Sequence, residues 1–261
     1  MNPIKLLLCL WLFCALVMAL GWLWQQHTRN ATLVDVLWSA CVGIAALSFA
    51  VCGDGALWPR IALGVAGGLW GLRLATHLGV RAHGKPEDGR YRAMREHWHR
   101  AVSLRFFLVY QFQALIVVLF ALPFVAVAHN GTTHLPWLVA GAFVWLLAVG
   151  GEALADRQLR HFRCDPNHAG CTLRAGLWRY SRHPNYFFEW LHWFAYVCFA
   201  VGSPWWWLAC SGPLLMYLFL RYLSGVPWSE MQALRSRGDD YRDYQRVTPM
   251  LFPWFPKQVG N

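Results

Sequence analysis

GLWRYSRHPNYFFEW, residues 176–190, is the most informative segment of the chain, because a basic, polar turn passes there into an apolar helix. Two basic side chains come directly before Pro184, and proline suits the first turn of a helix because no N–H is needed there. Asn185 and Glu189 follow at an i, i+4 spacing, which places both on one helical face. The pattern predicts a site for an anionic ligand at a membrane surface or, equally, a positively charged membrane anchor.

The composition on either side of this stretch is that of a membrane protein. The 261 residues are 57% hydrophobic and 16% aromatic, with a mean hydropathy of +0.32. Apolar runs of about 20 residues span a bilayer. We therefore predict an all-α, polytopic membrane helix bundle, a single integral membrane domain over residues 1–261, with about seven transmembrane helices. These are Ile4–Trp24, Ala31–Cys52, Trp58–Val80, Leu104–Ala128, Leu135–Ala155, Asn185–Gly202 and Trp205–Tyr222.

The positive charges predict the orientation of the chain. Three segments each hold six of the 23 lysines and arginines, namely residues 81–100, 157–182 and 221–257. The positive-inside rule then places the N-terminus outside, and it places loops 82–102 and 156–182 and the C-terminal tail 223–261 in the cytoplasm. On this interpretation, most of the net charge of +10 reflects the orientation of the chain in the membrane. Because no nucleic-acid motif accompanies this charge, we expect no nucleic-acid partner.

The eight cysteines do not predict a disulfide framework. Six lie in apolar runs, where cysteine behaves as a small hydrophobe, and two lie in a loop predicted to face the reducing cytoplasm. These two belong to an H-x2-C-x3-H-x2-C pattern of zinc-type ligands, whose spacing differs from that of a standard zinc finger. We interpret the segment as a solvated loop and predict no metal. Its ligand-type residues are His161, Cys164, His168 and Cys171.

Three polar side chains in the first half of the chain are our candidates for catalytic residues. Asp35 lies about one turn into the second predicted span, where an acid is either functional or a helix cap or a partner of a nearby arginine. Arg73 and His77 share one face of the third span. Snorkelling to the interface explains such residues near a helix end, but a water-filled cavity between helices is our preferred interpretation for Arg73.

Two further segments carry polar faces next to the membrane. Residues 82–100, AHGKPEDGRYRAMREHWHR, predict a short amphipathic helix after a Pro86–Gly89 turn, which would rest on the headgroups or form a lid over a cofactor. At the end of the fifth span, acids and arginines recur at i, i+4, i+8 and i+11 on one helical face. They are Glu152, Asp156, Arg160 and Arg163.

The RHPNY core at residues 182–186 and the tyrosine-rich tail resemble the C-terminal signature of the steroid 5-alpha-reductase-like membrane family. The match is best with its uncharacterised bacterial branch, and it covers the last half of the chain better than the first. Sterol reductases and isoprenylcysteine and phospholipid methyltransferases share the signature more loosely. The resemblance implies a protein of the bacterial inner (cytoplasmic) membrane that acts in lipid metabolism, with NADPH as its cofactor.

The residues that the resemblance assigns to the cofactor lie in the second half of the chain. They are Glu152, Asp156, Arg160, Arg163, Tyr180, Arg182, His183, Asn185, Tyr186, Glu189, Arg221, Glu230 and Tyr241. The chain departs from the family elsewhere. Steroid reductases have a Gln–Glu pair on the second helix, where Asp35 is the only acid here, and a tyrosine where Trp70 stands. They also have His and Tyr where Gly225 and Ser229 stand, so a steroid substrate is an analogy.

Three functions remain in competition. The first is an NADPH-dependent oxidoreductase acting on CH–CH groups, which reduces a carbon–carbon double bond in a lipophilic, steroid- or isoprenoid-like enone taken from the bilayer. The second is a membrane methyltransferase that uses S-adenosylmethionine and shares the RHPNY core, one downstream acid and the tyrosine-rich tail. The third is a non-catalytic membrane protein that binds lipid.

Overall fold

The computed structural model describes residues 2–257, and within them the secondary structure is helical, with no strand. The α-helices in chain order are α1 (Pro3–Thr28), α2 (Leu33–Cys52), α3 (Leu57–Ala82), α4 (Gly89–His97), α5 (Val102–Ala128), α6 (Leu135–Cys164), α7 (Pro184–Phe199), α8 (Trp206–Ala209), α9 (Ser211–Leu218), α10 (Val226–Arg237) and α11 (Asp239–Val247). Single helical turns of other types lie at Pro166–His168, Gly176–Arg179 and Phe219–Leu223.

Five of these described helices, α1, α2, α3, α5 and α6, are long and apolar enough to cross a membrane. They correspond to the first five predicted spans. The sixth and seventh predicted spans are not among them, so the count of seven is not reproduced. Helix α7 has 16 residues, and the run Trp205–Tyr222 is divided into α8, α9 and a π-helical turn. Pro213 explains the break between α8 and α9, because it lacks the N–H that a continuous helix would bond to the carbonyl of Ala209.

The first of two compact units contains residues 2–139 and 196–212. Helix α2 packs against α3 and α5, and α1 packs against α5. Gly43 and Gly71 allow the close approach of α2 and α3, since a Cβ on Gly71 would lie 2.5 Å from the Cα of Gly43. Beside this crossing, the buried ring of Trp70 meets Trp38 edge to face at 6.2 Å.

The outer face of α1 is apolar, as expected for a helix in contact with lipid. Leu8, Leu12, Leu16 and Leu20 recur every four residues and are all more than half exposed. A water-soluble protein rarely exposes a continuous apolar stripe of this kind. The stripe therefore supports the assignment of α1 as a membrane span.

The second compact unit contains residues 140–195 and 213–257. Helix α7 begins at Pro184, as the sequence predicts. The segment before it is tied to α6, because Trp178 Nε1 donates to the carbonyl of Ala155 at 3.0 Å. After the π-helical turn, α10 begins at Val226 and packs against α11 through Ala233 and Tyr241.

Candidate functional site

Asp35 of α2 is held by two side chains of α4. Arg90 Nη2 donates to Asp35 Oδ2 at 2.6 Å, and the hydroxyl of Tyr91 donates to Oδ1 at 2.7 Å. The ion pair is largely shielded, since the Arg90 and Asp35 side chains are 24% and 20% exposed. Burial and the Asp35 carboxylate raise the pKa of Tyr91 well above its ordinary value, so its phenol stays protonated and can donate. Asp35 thus has the nearby arginine that the sequence offered as its structural partner.

Asp88 connects the start of α4 to the start of α2. Its carboxylate accepts from the backbone N–H and from Nε of Arg90, both at 3.0 Å. Its own backbone N–H donates to Thr32 Oγ1 at 2.9 Å. Burial alone would raise the pKa of Asp88, but the hydrogen bond and charge of Arg90 outweigh burial and lower it. Thr32 lies at the N-cap position of α2, but its hydroxyl accepts from this loop and does not cap α2.

Glu87 fastens the same loop to the other side of α4 and to the end of α1. Arg95 donates to Glu87 Oε1 at 2.8 Å and to Gln25 Oε1 at 3.2 Å. Glu87 Oε1 also accepts the backbone N–H of Ala31 at 2.8 Å. The short helix predicted within residues 82–100 is confirmed as α4, and the network places it over the ends of α1 and α2 in this unit.

A cleft of about 230 Å³ lies beside this network, and we call it the Asp35 cleft. Its walls are Thr32, Asp35, Leu78, Arg81, Ala82, Lys85, Pro86, Asp88 and Arg90. Within the described part of the chain, the cleft takes in Asp35 but neither Arg73 nor His77, which are partly exposed residues of α3. The structure therefore does not gather all three predicted catalytic residues around this cavity, and their roles stay predictions.

In the second unit, the RHPNY core meets an acid of the C-terminal tail. Arg182 Nε lies 2.7 Å from Glu230 Oε1, and His183 Nε2 lies 3.3 Å from the same oxygen. The three side chains are 12%, 6% and 17% exposed in the order Arg182, His183, Glu230. The motif and Glu230, predicted from the resemblance to act together, are thus neighbours in space.

Two tail residues complete this cluster around Glu230. Gln245 Nε2 donates to Glu230 Oε2 at 3.0 Å, and the hydroxyl of Tyr241 lies 3.5 Å from Oε1. Burial would raise the pKa of Glu230, but the His183 hydrogen bond and the Arg182 charge outweigh burial and lower it. Burial lowers the pKa of His183, an effect that Glu230 only partly offsets. At neutral pH the cluster is therefore an arginine–glutamate ion pair beside a neutral imidazole.

Backbone contacts bind the tail to the same motif. The Arg182 guanidinium donates to the carbonyls of Gln245 and Thr248 at 2.9 and 3.2 Å, and its backbone N–H donates to the carbonyl of Pro249 at 2.9 Å. The Tyr244 hydroxyl, which is buried, donates to the carbonyls of Trp178 and Ser181. Arg182 therefore makes several hydrogen bonds to the tail, as a structural residue would.

The start of α7 is also joined to the charged face of α6. Asn185 Nδ2 donates to Asp156 Oδ1 at 3.2 Å. Helix α6 continues to Cys164, so Arg160 and Arg163 extend the face of Asp156 by one and two turns, and both are exposed. The carboxylate of Asp156 and two exposed arginines therefore lie along one side of α6, with the carboxamide of Asn185 from α7 bonded to that carboxylate.

Comparison with known proteins gives one family assignment. The DUF1295 family, whose members are described as proteins of unknown function, matches residues 21–248 of this chain. The chain belongs to the DUF1295 family. The match extends from within α1 to beyond α11, so it includes both the Asp35 network and the Glu230 cluster. No curated protein and no solved structure matches the chain.

The remaining predicted cofactor residues of this DUF1295 member occupy varied positions in the second unit. Glu152 and Glu189 are buried in α6 and α7. Tyr186 stacks on His183 with ring centroids 5.3 Å apart, and Tyr180 meets Phe255 edge to face. The other predicted residue, Arg221, lies in the π-helical turn with its guanidinium 5.0 Å from the ring of Tyr222. Short π-helical segments are often found at functional sites.

The histidine and cysteine residues between α6 and the RHPNY core form no metal cluster in the described structure. Across residues 2–257, no group of three or more His, Cys, Asp or Glu side chains could hold a metal ion. His168 stacks instead on Phe162 with ring centroids 4.1 Å apart, and it lies 3.5 Å from Asp165.

Several partners of the predicted site residues were missed at the sequence level. Arg90 and Tyr91 bind Asp35, and Gln245 binds Glu230, although none was assigned a role. The signal for Arg90 was available, because an acid inside an apolar helix needs a cation and the segment after α3 has an excess of them. Gln245 had no comparable signal, because its contact depends on how α11 packs against α10.

Proposed function

We propose that this protein is a membrane-embedded, NADPH-dependent reductase of a carbon–carbon double bond in a lipophilic enone that enters from the bilayer. The observation that carries the proposal is the Asp156–Asn185 hydrogen bond with Arg160 and Arg163 on the same side of α6. These four residues match the cofactor pattern of the steroid 5-alpha-reductase-like family. The Asp156–Asn185 contact supports the view that the parts of the pattern on α6 and α7 lie side by side.

The donors present suit a dinucleotide. Two exposed guanidinium groups, those of Arg160 and Arg163, can pair bidentately with phosphate oxygens. Asn185 is oriented by Asp156 and by the backbone N–H of Tyr186, which donates to Asn185 Oδ1 at 3.1 Å. Arg182 suits this task less, because its guanidinium is already bound to Glu230 and to tail carbonyls. We therefore assign Arg182 and His183 to positioning the motif.

The chemistry divides between the cofactor and the protein. NADPH supplies a hydride, and the protein supplies binding, orientation and a polar group for the carbonyl oxygen of the substrate. Asp35, Arg73 and His77 remain the candidates on the substrate side. Tyr91, protonated and donating its only hydroxyl proton to Asp35, holds that carboxylate in place.

We further propose that α7 and the α8–α9 segment also lie within the membrane. With them the chain would have seven membrane segments, the N-terminus outside and the C-terminal tail in the cytoplasm. The support is the charge distribution, because residues 81–100, 157–182 and 221–257 each carry six lysines and arginines and would then share the cytoplasmic side.

A methyltransferase using S-adenosylmethionine is the second candidate, and one observation favours it. Arg182, His183, Glu230 and Tyr241, the elements that the membrane methyltransferases share with this chain, form one cluster. That cluster contains a single tail acid, where those enzymes usually have a pair. The reductase is therefore our first choice.

Titration of the detergent-purified protein with NADPH, followed by the fluorescence of the nicotinamide, tests the proposal. We expect saturable binding by the unaltered protein and at least about tenfold weaker binding by an Arg160→Ala/Arg163→Ala variant, because hydrogen bonds to charged groups contribute about 1.5–3 kcal/mol each. The control is Arg235→Ala/Arg246→Ala, which removes two exposed arginines of the tail. Equal affinity in both variants would refute the assignment.

A further inference from the structure

The geometry points to a second binding site, in the Asp35 cleft, for the phosphate group of an anionic ligand, with Arg81 and Lys85 as the side chains that bind it. Asp35, a substrate-side candidate of the proposed reductase, is one wall of this cleft, but Arg81 and Lys85 have no role in that reaction, so the phosphate site does not rest on it. The residues assigned to NADPH all belong to the second unit, whereas the walls of the Asp35 cleft all belong to the first.

Of the three cations that line the Asp35 cleft, only Arg90 is held in close ion pairs. Arg90 satisfies both acids of the inner wall, at 2.6 Å from Asp35 and 3.0 Å from Asp88. Arg81, in contrast, is 64% exposed and reaches Asp88 only at 3.7 Å, and Lys85 is exposed. Two cations at the mouth can therefore turn toward an anion while the inner network stays intact. With three cations and two acids, the lining also carries a net positive charge.

The size of the cleft limits what it can hold. Its volume of about 230 Å³ is below the roughly 300–1,000 Å³ typical of pockets for drug-sized ligands. A whole dinucleotide is too large, whereas a phosphate with a glycerol-sized group fits. Leu78, Ala82 and Pro86 supply an apolar wall for the carbon atoms next to that phosphate.

The position of the cleft also suits a phosphate. Arg81 lies in the last turn of the membrane span α3, which is where a helix reaches the level of the lipid phosphates. Basic pockets at such helix ends are known to hold anionic headgroups. The same chemistry would bind a water-soluble phosphate ester, so the phosphate is the feature that the site recognises.

The mouth is built before any ligand arrives. Asn30 Nδ2 donates to the carbonyl of Lys85 at 3.3 Å, and Asp88 is fixed to Thr32 by its backbone N–H at 2.9 Å. The loop that carries Lys85 is thereby tied to the start of α2. A wall that is already ordered loses less conformational entropy when a ligand binds.

The test is a binding measurement on the full chain in a neutral detergent, by native mass spectrometry and by thermal stability. The probes are phosphatidylglycerol, phosphatidylcholine and glycerol 3-phosphate. Arg81→Gln/Lys85→Gln removes both cations, and Arg235→Gln/Lys257→Gln removes one exposed arginine and one exposed lysine elsewhere as the matched control. Leu78→Trp fills the cleft and leaves every charge in place.

We expect phosphatidylglycerol, glycerol 3-phosphate or both to bind the unaltered protein and the control, and to bind Arg81→Gln/Lys85→Gln and Leu78→Trp at least about tenfold more weakly. Binding of phosphatidylglycerol alone identifies the source as a lipid headgroup, and binding of glycerol 3-phosphate identifies a soluble ester. The proposal is overturned if neither phosphatidylglycerol nor glycerol 3-phosphate binds, if phosphatidylcholine binds as well as phosphatidylglycerol, or if the control loses as much affinity as the cleft variants. Because Arg81 and Lys85 are exposed, the double variant should fold normally.

Discussion

Replacing Glu230 with glutamine tests the cluster that joins the RHPNY core to the tail. The substitution keeps the shape of the side chain and removes its charge, which leaves the shielded guanidinium of Arg182 without its carboxylate 2.7 Å away. Breaking a buried ion pair costs about 3–5 kcal/mol, but Arg182 keeps its carbonyl acceptors, so we expect a loss of about 2–3 kcal/mol. For a chain of this size that corresponds to a fall of about 4–12 °C in the unfolding temperature.

The assay is thermal unfolding of the purified protein and its variants in one detergent. Asp243→Asn is the control, because it removes the carboxylate of an exposed pair with Arg246 on the same tail, at 3.0 Å. Exposed pairs contribute about 0.3–0.5 kcal/mol, so the control should unfold within about 2 °C of the parent. If Glu230→Gln unfolds at the same temperature as the control, Glu230 does not hold the tail to the motif.

Three further predictions concern the contacts of Asp35 and His183. Tyr91→Phe removes one hydrogen bond to Asp35 and should lower the unfolding free energy by about 1–3 kcal/mol, whereas Phe107→Tyr, at a partly exposed position on α5, should change it little; thermal unfolding compares them. Because the pKa of His183 in the folded state lies below its ordinary value of 6.5, the unfolded chain binds more protons as the pH falls past that value. The free energy of unfolding should therefore fall as the pH is lowered from about 7 to 5, and His183→Gln should make it less dependent on pH in that range. An unchanged slope would contradict the buried neutral imidazole. Asp35→Asn should leave NADPH affinity unchanged and lower the rate of enone reduction, and a loss of NADPH affinity in this variant would place Asp35 on the cofactor side.

Much of the fold could be predicted from the sequence because hydrophobic length is a strong signal. Apolar runs located the five long helices, and Pro184 marked the start of α7. The run Trp205–Tyr222 failed as a single helix because its apolar character hid the effect of Pro213 on backbone hydrogen bonding. Hydropathy counts side chains, whereas helix continuity also depends on each backbone N–H.

The candidate site could be predicted in part. Charge spacing along α6 placed Asp156, Arg160 and Arg163 on one face, and that face was confirmed as helical to Cys164. The partners of Asp35 and Glu230 come from segments more than ten residues away in the chain, and spacing along one helix carries no information about them. The family match adds no activity, since DUF1295 is described as a family of unknown function.

The most direct test of the reductase proposal is the thermal stability of the detergent-purified protein with NADPH, NADH, S-adenosylmethionine or no ligand. A ligand that binds only the folded state stabilises it, by about 2.7 kcal/mol when present at 100 times its Kd. We predict that NADPH raises the unfolding temperature and that S-adenosylmethionine leaves it unchanged. A rise with S-adenosylmethionine alone would contradict the reductase in favour of the methyltransferase, and no rise with any of them would contradict both enzymes in favour of a non-catalytic lipid-binding protein.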